Sequence, residues 1–499
     1  MRYLMGVDVG TTSTRAILIN DKGRLISEGV SPYPMYTPKP AWAEQHPADW
    51  IKGAAKAVRS ALKKANAKKT DVAAVGLTGQ MHSSVFLDRK GEVIRPAILW
   101  CDGRTASECD EITRRVGKKR LLDKARNIAL PGFTAPKILW LANNEPAAYK
   151  RLDKVLVAKD YVRYVMTGAT ATEVSDASGM LLLDVPARRW SKEILDALDI
   201  PESMLPEVFE SPEITGEVSA DGARIFGLAK GTPVVGGGGD QAAGAVGNGI
   251  VKQGDATVSL GTSGVVFAPS RTAPTATGGT VHAFCHAVPG MWHTMGVMLA
   301  AGGSMQWFRN ALRSAKNKTL SYRDINALAS KSPPGGDGVL FLPYLSGERT
   351  PYNDPLARGA FVGMTLSHDM THMARAVMEG VAFGINDCAN LMKDAGTTIK
   401  NIFISGGGAT SKLWCEIIAG VLERPVNRLK VDQGPAMGAA LLAGVGAGYY
   451  KNVKIATART LKIRDRVKPV GKDRKKYREA YKRYRELYPA LEPFFHIGE

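Results

Sequence analysis

The chain has 499 residues, 44% of them apolar and 23% charged, and a formal net charge of +19. That length exceeds one ordinary core, so two or more domains are expected. No uninterrupted apolar run is long enough to span a bilayer, and five scattered cysteines without a CxxC pair exclude a disulfide framework or a cysteine zinc site.

The opening MRYLMGVDVG runs straight into a strand, without a signal core or cleavage site, so a cytoplasmic protein is expected. Residues 2–9 and 14–20 are β-rich and flank Gly10-Thr11-Thr12, which predicts a hairpin whose turn carries backbone amides and two hydroxyls. A third strand is expected over 23–29, a helix over 47–66 and a strand over 71–78. The stretch GGGGDQAAGAVG at 236–247 then places one carboxylate, Asp240, directly after four glycines. A glycine run costs backbone entropy, so these glycines are expected to let a ligand come close to the backbone and meet Asp240. The hairpin pattern returns at 255–268, around the turn Gly261-Thr262-Ser263. Two such hairpins, roughly 250 residues apart, predict two related domains. Asp240 would sit at their junction, where ligand sites are common. Further on, Gly302-Gly303 leads into an amphipathic helix over 305–313, and 345–352 is a polar loop. A long helix is expected over 371–395. A strand over 402–405 runs into Gly406-Gly407-Gly408 and a helix from Ser411, and the last helix of the domain begins at 434.

Four glycine turns, at 10–12, 261–263, 302–303 and 406–408, stand at strand ends or helix starts. Exposed amides in such turns suit phosphate oxygens, and the set points to a nucleotide. GxxxxGK[ST] is absent and no GxGxxG opens a first βα unit, which excludes a P-loop and disfavours a dinucleotide fold. Asp8, just before the first turn, would repel phosphates unless a cation such as Mg²⁺ lay between; the alternative is an aspartate capping its own turn. Asp240 has the chemistry to accept a hydroxyl proton as that oxygen attacks a γ-phosphorus; the alternative is a turn residue. His282 with His286, and His368 with His372, are spaced four apart but lack a third ligand, so they read as structural histidines.

Between residues 464 and 486, eleven Lys or Arg stand against four Asp or Glu. Tyr477, Tyr481, Tyr484 and Tyr488 repeat there at helical spacing. The stretch reads as a C-terminal helix docked by tyrosines with a solvated basic face. Nucleic-acid binding is the lesser reading, because no motif of that kind accompanies the charge.

Several stretches together resemble the FGGY carbohydrate kinases of the actin/hexokinase-like superfamily. They include DVGTTSTRA at 8–16, GLTGQMHSSVFLD at 76–88, ILWCDGR at 98–104 and LPGFTAPKILWL at 130–141. KDYVRYVMTG at 159–168, SDASGMLLLDV at 175–185, GGGDQAAGAVG at 237–247 and SLGTSGVVF at 259–267 continue the match. FLPYLSGERTPYNDPLARGAF at 341–361, EGVAF at 379–383 and SGGGATSKLW at 405–414 complete it in the family's order. The resemblance implies two α/β, ribonuclease H-like domains about a central cleft: 1–245 on the sugar side, 246–450 on the nucleotide side, and a basic helical extension over 451–499 packed on the second. It implies phosphorylation of D-xylulose to D-xylulose 5-phosphate by ATP and Mg²⁺, with other ketoses, polyols or sugar acids as alternatives and a non-sugar ATPase as a further one. Asp240 aligns with the family's base, and Met81 and His82 with its sugar contacts, joined by Gln241, Trp100, Asp102 and Arg104. Thr11, Thr12, Arg15, Gly261, Thr262 and Ser263 fall at phosphate positions, and Gly302, Gln306, Gly407, Gly408 and Lys412 around the nucleotide. Asp8 would hold Mg²⁺. A homodimer is a candidate assembly. Gln241 and Ser83 depart from the Asn and Gly usual in members acting on xylulose, at positions expected to read the sugar. Met81-His82 stand where glycerol-specific members carry Arg-Glu.

Overall fold

The computed structural model describes residues 2–275, 278–316, 320–430, 434–458 and 460–497. Tyr3–Val9 (β1) is almost wholly buried, as a central strand with both faces covered must be. The turn at 10–12 folds Ser13–Asn20 (β2) antiparallel onto it, and Leu25–Pro32 (β3) follows as the edge. The chain crosses through the helix Pro47–Lys64 (α1), whose buried face carries Trp50, Ala54, Ala57, Val58 and Ala61. It returns as Val72–Gly79 (β4), parallel to β1. Ile214–Glu217 (β5) and Pro233–Gly239 (β6) complete a six-stranded sheet in the order β5-β6-β4-β1-β2-β3. Between β4 and β5 an insertion carries the helix Thr134–Asn144 (α2) and three strands of a second, four-stranded sheet, whose fourth strand is Glu44–Gln45 from before α1. Its apolar core runs on into Phe284 and Met295 of the second half.

After the helix Asp240–Gly247 (α3), the second half repeats the plan. Gly254–Leu260 (β7) and Gly264–Ser270 (β8) form an antiparallel hairpin. His282–Cys285 (β9) and Trp292–Met298 (β10) extend it, while Ile399–Ser405 (β11) pairs with β7 in parallel. Val426–Leu429 (β12) and Ile463–Val467 (β13) close a seven-stranded sheet ordered β9-β10-β8-β7-β11-β12-β13. Gly302–Lys316 (α4), Met370–Asp394 (α5) and Lys412–Val421 (α6) join the core of this half.

Two elements lie where sequence order does not put them. Gly434–Gly446 (α7) closes the second half in sequence, yet it packs on β1, β4 and α3 of the first. Glycines make this approach possible: a Cβ on Gly6 or Gly76 would overlap the Ala436 or Ala439 carbonyl, and one on Gly438 the Ala243 carbonyl. The C-terminal segment is not wholly a helical extension either. Residues 463–467 are the sheet edge β13, because Arg428 and Asp465 pair across it. Only then does Arg474–Phe495 (α8) dock on α5 and α6. Tyr477, Tyr484 and Tyr488 are buried there, Tyr481 donates to Asp387 (2.6 Å) and Tyr488 to Asp354 (2.9 Å).

The glycine run also differs from expectation. Gly236 to Gly239 are buried in β6, and protein rather than ligand crowds them. Gly237 has φ +72°, and a Cβ there would overlap the Leu77 carbonyl; only glycine tolerates both. A Cβ on Gly239 would lie 2.9 Å from Met81 Cγ. The glycines let strands close on one another, and Asp240 is delivered at their end.

Replacing Gly76 by Ala is expected to cost about 1–3 kcal/mol through overpacking against α7. Calorimetry would show a lower melting temperature; an unchanged one would mean that α7 is not pinned at this point.

Candidate active site

In sheets of this kind ligands gather at the carboxyl ends of parallel strands. The register sets Asp8 of β1 beside Thr78 of β4, and Gly79 beside Gly239 of β6. Asp240 is the next residue and the first of α3. Two carboxylates thus flank β4 at one end of the sheet. Asp8 is pushed up to about 7, chiefly by burial and then by the charge of Asp240, with Arg15 opposing. Burial pushes Asp240 up to about 6 against hydrogen bonds from the backbone and side chain of Gln241. The backbone before Asp240 is fixed from below. Gly239 N–H donates to Ser175 Oγ (3.0 Å), Ser175 donates to Glu173 (2.8 Å), and Arg163 donates to the Gly236 carbonyl (2.5 Å). Lys159 is wholly buried beside Asp160 (2.6 Å) and Asp176 (3.1 Å) in the same cluster.

Asp240 and Gln241 open onto a cavity of about 140 Å³, with Met81, His82 and Trp100 on one side and Ser263, His282 and Arg349 on the other. His82 holds φ +68°, a costly conformation for a non-glycine residue unless its surroundings enforce it. They do. Its carbonyl accepts from Lys137 Nζ (2.9 Å) and Thr134 Oγ1 (3.2 Å), and its ring meets Phe133 edge-on at 4.9 Å. Its Nδ1 lies 2.7 Å from the Gly179 carbonyl, which can only accept, so Nδ1 carries the proton and Nε2 is an acceptor. Burial, then the Lys137 charge, lowers His82 to about 3, so the ring is neutral. Lys137 on α2, lowered to about 7 by burial, also donates to the Gly132 carbonyl (2.8 Å) and so ties two walls of the cavity together.

The first turn is anchored by a relay of amides. Gln45 donates to the Thr11 carbonyl (2.7 Å) and accepts from Trp50 (2.9 Å) and Gln80 (3.0 Å). Ser83 donates to Gln80 (3.0 Å) and accepts from the Trp100 N–H (3.3 Å). The Trp100 indole N–H reaches Thr11 Oγ1 (3.0 Å), joining the turn to the cavity mouth.

A second, larger cavity of about 510 Å³ adjoins the turn 261–263, within the size range of small-molecule sites. Gly261, Thr262, Gly302, Gln306, Gly407 and Gly408 line it, with Tyr322, Asn326 and Trp414. The turn divides the two spaces, because Ser263 faces the smaller one.

Several sequence expectations move. Asp102 and Arg104 do not line the small cavity. They form a buried bidentate pair (2.7 and 2.8 Å), Asp102 accepts the Ala43 N–H (2.6 Å), and Arg104 bridges to Glu44 (2.8 Å) over the Trp42 ring. Their polar groups are committed to protein. Ser83 is buried and absent from the cavity lining. Lys412 is 73% exposed and pairs with Glu416 (3.6 Å), because the turn before it directs Thr410 and Ser411 to the groove instead. The N–H of Gly302 is not offered to phosphate; it donates to the Gly261 carbonyl (2.8 Å), as that of Gly303 does to Thr262 (2.9 Å). Thr12 is exposed, Arg15 pairs with Glu28 (2.7 Å), and neither lines either of these two cavities. Sequence reasoning missed His282, Phe284 and Arg349. The polar loop at 345–352 was the one signal for Arg349.

Among the described residues no three His, Cys, Asp or Glu side chains gather as a metal site. Asp8 nevertheless supplies a hard oxygen donor, and a divalent cation would relieve the repulsion that Asp240 exerts on it, so Asp8 fits Mg²⁺ completed by water and phosphate.

Two duplicated α/β halves, with a small cavity between them that a carboxylate faces and a glycine-lined groove in the second, define a sugar kinase of the actin/hexokinase-like class. The chain belongs to the FGGY family of carbohydrate kinases: residues 3–247 match its N-terminal domain and 256–447 its C-terminal domain. It is 39% identical to a xylulose kinase of Escherichia coli (strain K12) over 491 residues, covering 98% of this chain and 99% of that one. It is 38% identical to one of Lactococcus lactis subsp. lactis (strain IL1403) over 494 residues, covering 98% and 97%. The crystal structure of xylulose kinase from Rhodospirillum rubrum superposes with a TM-score of 0.92 at 30% identity, covering 99% of this chain and 100% of that one.

Because folding raises the Asp8 pKa from 3.8 to about 7, its ionisation opposes folding: stability is full below about 4 and falls as pH rises through about 7. Asp8→Asn removes that burden. Without nucleotide or divalent cation, the variant is expected to melt above the parent at pH 8, with the gap closing towards pH 4. Parallel melting curves at every pH would rule out the buried charge.

Proposed function

We propose that the protein transfers the γ-phosphoryl group of ATP to the C5 hydroxyl of D-xylulose, giving D-xylulose 5-phosphate and ADP. The observation that carries this reading is Asp240, a carboxylate pushed up to about 6 by burial that opens onto the smaller cavity. The sugar enters the smaller cavity. The neutral His82 accepts a hydroxyl hydrogen at Nε2, and Met81 and Gln241 bound the chain of carbons. Asp240 takes the proton of the attacking hydroxyl, which makes it the general base. The nucleotide lies in the larger groove against Gly261, Thr262, Gln306, Gly407 and Gly408. Mg²⁺, when bound, neutralises charge on the phosphate oxygens. Asp8 would hold it. Closing of the cleft would bring Thr11, Thr12 and Arg15 to the phosphates, with Ser263 between phosphate and sugar, and would exclude water. The xylulose kinases that match nearly the full length favour D-xylulose over other ketoses, polyols and sugar acids.

ADP release with Mg-ATP should rise with D-xylulose and stay near the sugar-free rate with D-ribulose, glycerol or gluconate. Preference for one of these would reassign the substrate. Asp240→Ala is expected to bind ATP normally and lose about 10²–10⁴-fold in phosphorylation; turnover near the parent's would remove Asp240 as base. The parent's kcat/KM should fall as pH drops through about 6, when Asp240 gains its proton. Asp8→Ala should need more Mg²⁺ for half-maximal rate, and an unchanged titration would remove Asp8 from the metal site.

A further inference from the structure

Arg349 lies in the polar loop and lines the small cavity. Both neighbours hold its backbone. Thr350 donates to the Val297 carbonyl (3.0 Å) and accepts the Val297 N–H at Oγ1 (3.1 Å), and that hydroxyl donates to the Thr280 carbonyl (2.8 Å). Glu348 Oε1 accepts the N–H groups of Arg349 (2.7 Å) and Leu299 (3.1 Å). The loop is therefore fixed against β10, and the side chain starts from a set position.

Among the described residues the guanidinium itself makes no ion pair and no side-chain hydrogen bond. Glu348 is the carboxylate whose charge reaches it, and burial pushes that group up to about 8, so it is a neutral acid at pH 7. The other polar groups that sense Arg349 are His82 and His282, both kept neutral by burial. Phe133, Phe284, Met295 and Val297 fill the rest of that wall. Arg349 is half-buried at the cavity, and the five donors of its planar fork are left to water or to a ligand. Arg349 and Asp240 line one cavity, and with Asp240 serving one hydroxyl the guanidinium is left to the sugar's other oxygens.

We propose that Arg349 is a specificity residue whose guanidinium donates to oxygens at the end of the sugar remote from the hydroxyl that Asp240 serves. On the reading of the reaction given above, on which this rests, those are the C2 carbonyl and C1 hydroxyl of a ketose. Two adjacent acceptors match the fork, and their binding supplies the partners that the protein does not.

Arg349→Met keeps the length and apolar stem and removes the donors. KM for D-xylulose should rise at least tenfold, with kcat changed less than threefold and the affinity for ADP and the melting temperature unchanged. Arg349→Lys, which keeps a charge but not the fork, should recover part of the loss. An unchanged KM in the methionine variant would overturn the assignment. So would a fall in ADP affinity or melting temperature that accompanied the loss, since that marks a structural role. Failure of the parent itself to phosphorylate D-xylulose would instead overturn the reaction.

Discussion

One helix of the second half rests directly on the backbone of the first. The carbonyls of Ala436 and Ala439 press on Gly6 and Gly76, where any side chain would hold them off. Through this contact α7 touches the central strands β1 and β4 and the helix α3. Those elements carry Asp8 and Asp240 at their ends. Close packing tolerates little adjustment, so the spacing of the carboxylates and their distance from the groove in the second half follow from backbone contact.

Charge is held against its solvation preference around the cleft. Asp8 and Asp240 are both pushed upward by burial, and Lys137 downward. Beneath them Lys159 and Arg163 face Asp160, Glu173 and Asp176 out of contact with water. Such clusters seldom add net stability. Here the cluster fixes geometry: Arg163 grips the Gly236 carbonyl, and Ser175, held by Glu173, grips Gly239. The residue that follows is Asp240.

The hairpins at 3–20 and 254–270 and the long helix at 370–394 were legible in the sequence, because turn chemistry and periodicity are local. The glycine run was legible as an unusual backbone but not in its purpose. Its crowding comes from Leu77 and Met81, residues distant in sequence. The family resemblance put Asp102 and Arg104 with the sugar contacts, and a charged pair in a loop carries no mark of burial that would have argued otherwise. Their commitment to Ala43, Glu44 and Trp42 appears only when a separate segment is folded against them. Ser83 departed from the usual residue at a supposed sugar position, yet it links Gln80 to Trp100.

The sequence alone determined the duplicated α/β plan, the order of the turns and the two aspartates at strand ends, since short-range pattern and the motif series specify each of these. Which side chains share a cavity was decided by tertiary structure. His282 comes from β9, Arg349 from a loop pinned to β10, His82 from a strained turn held by Lys137 of α2, and Asp240 from the start of α3. Solvent exposure, protonation and unmet hydrogen-bonding capacity depend on neighbours brought together across hundreds of residues. They arise only once the chain has closed on itself.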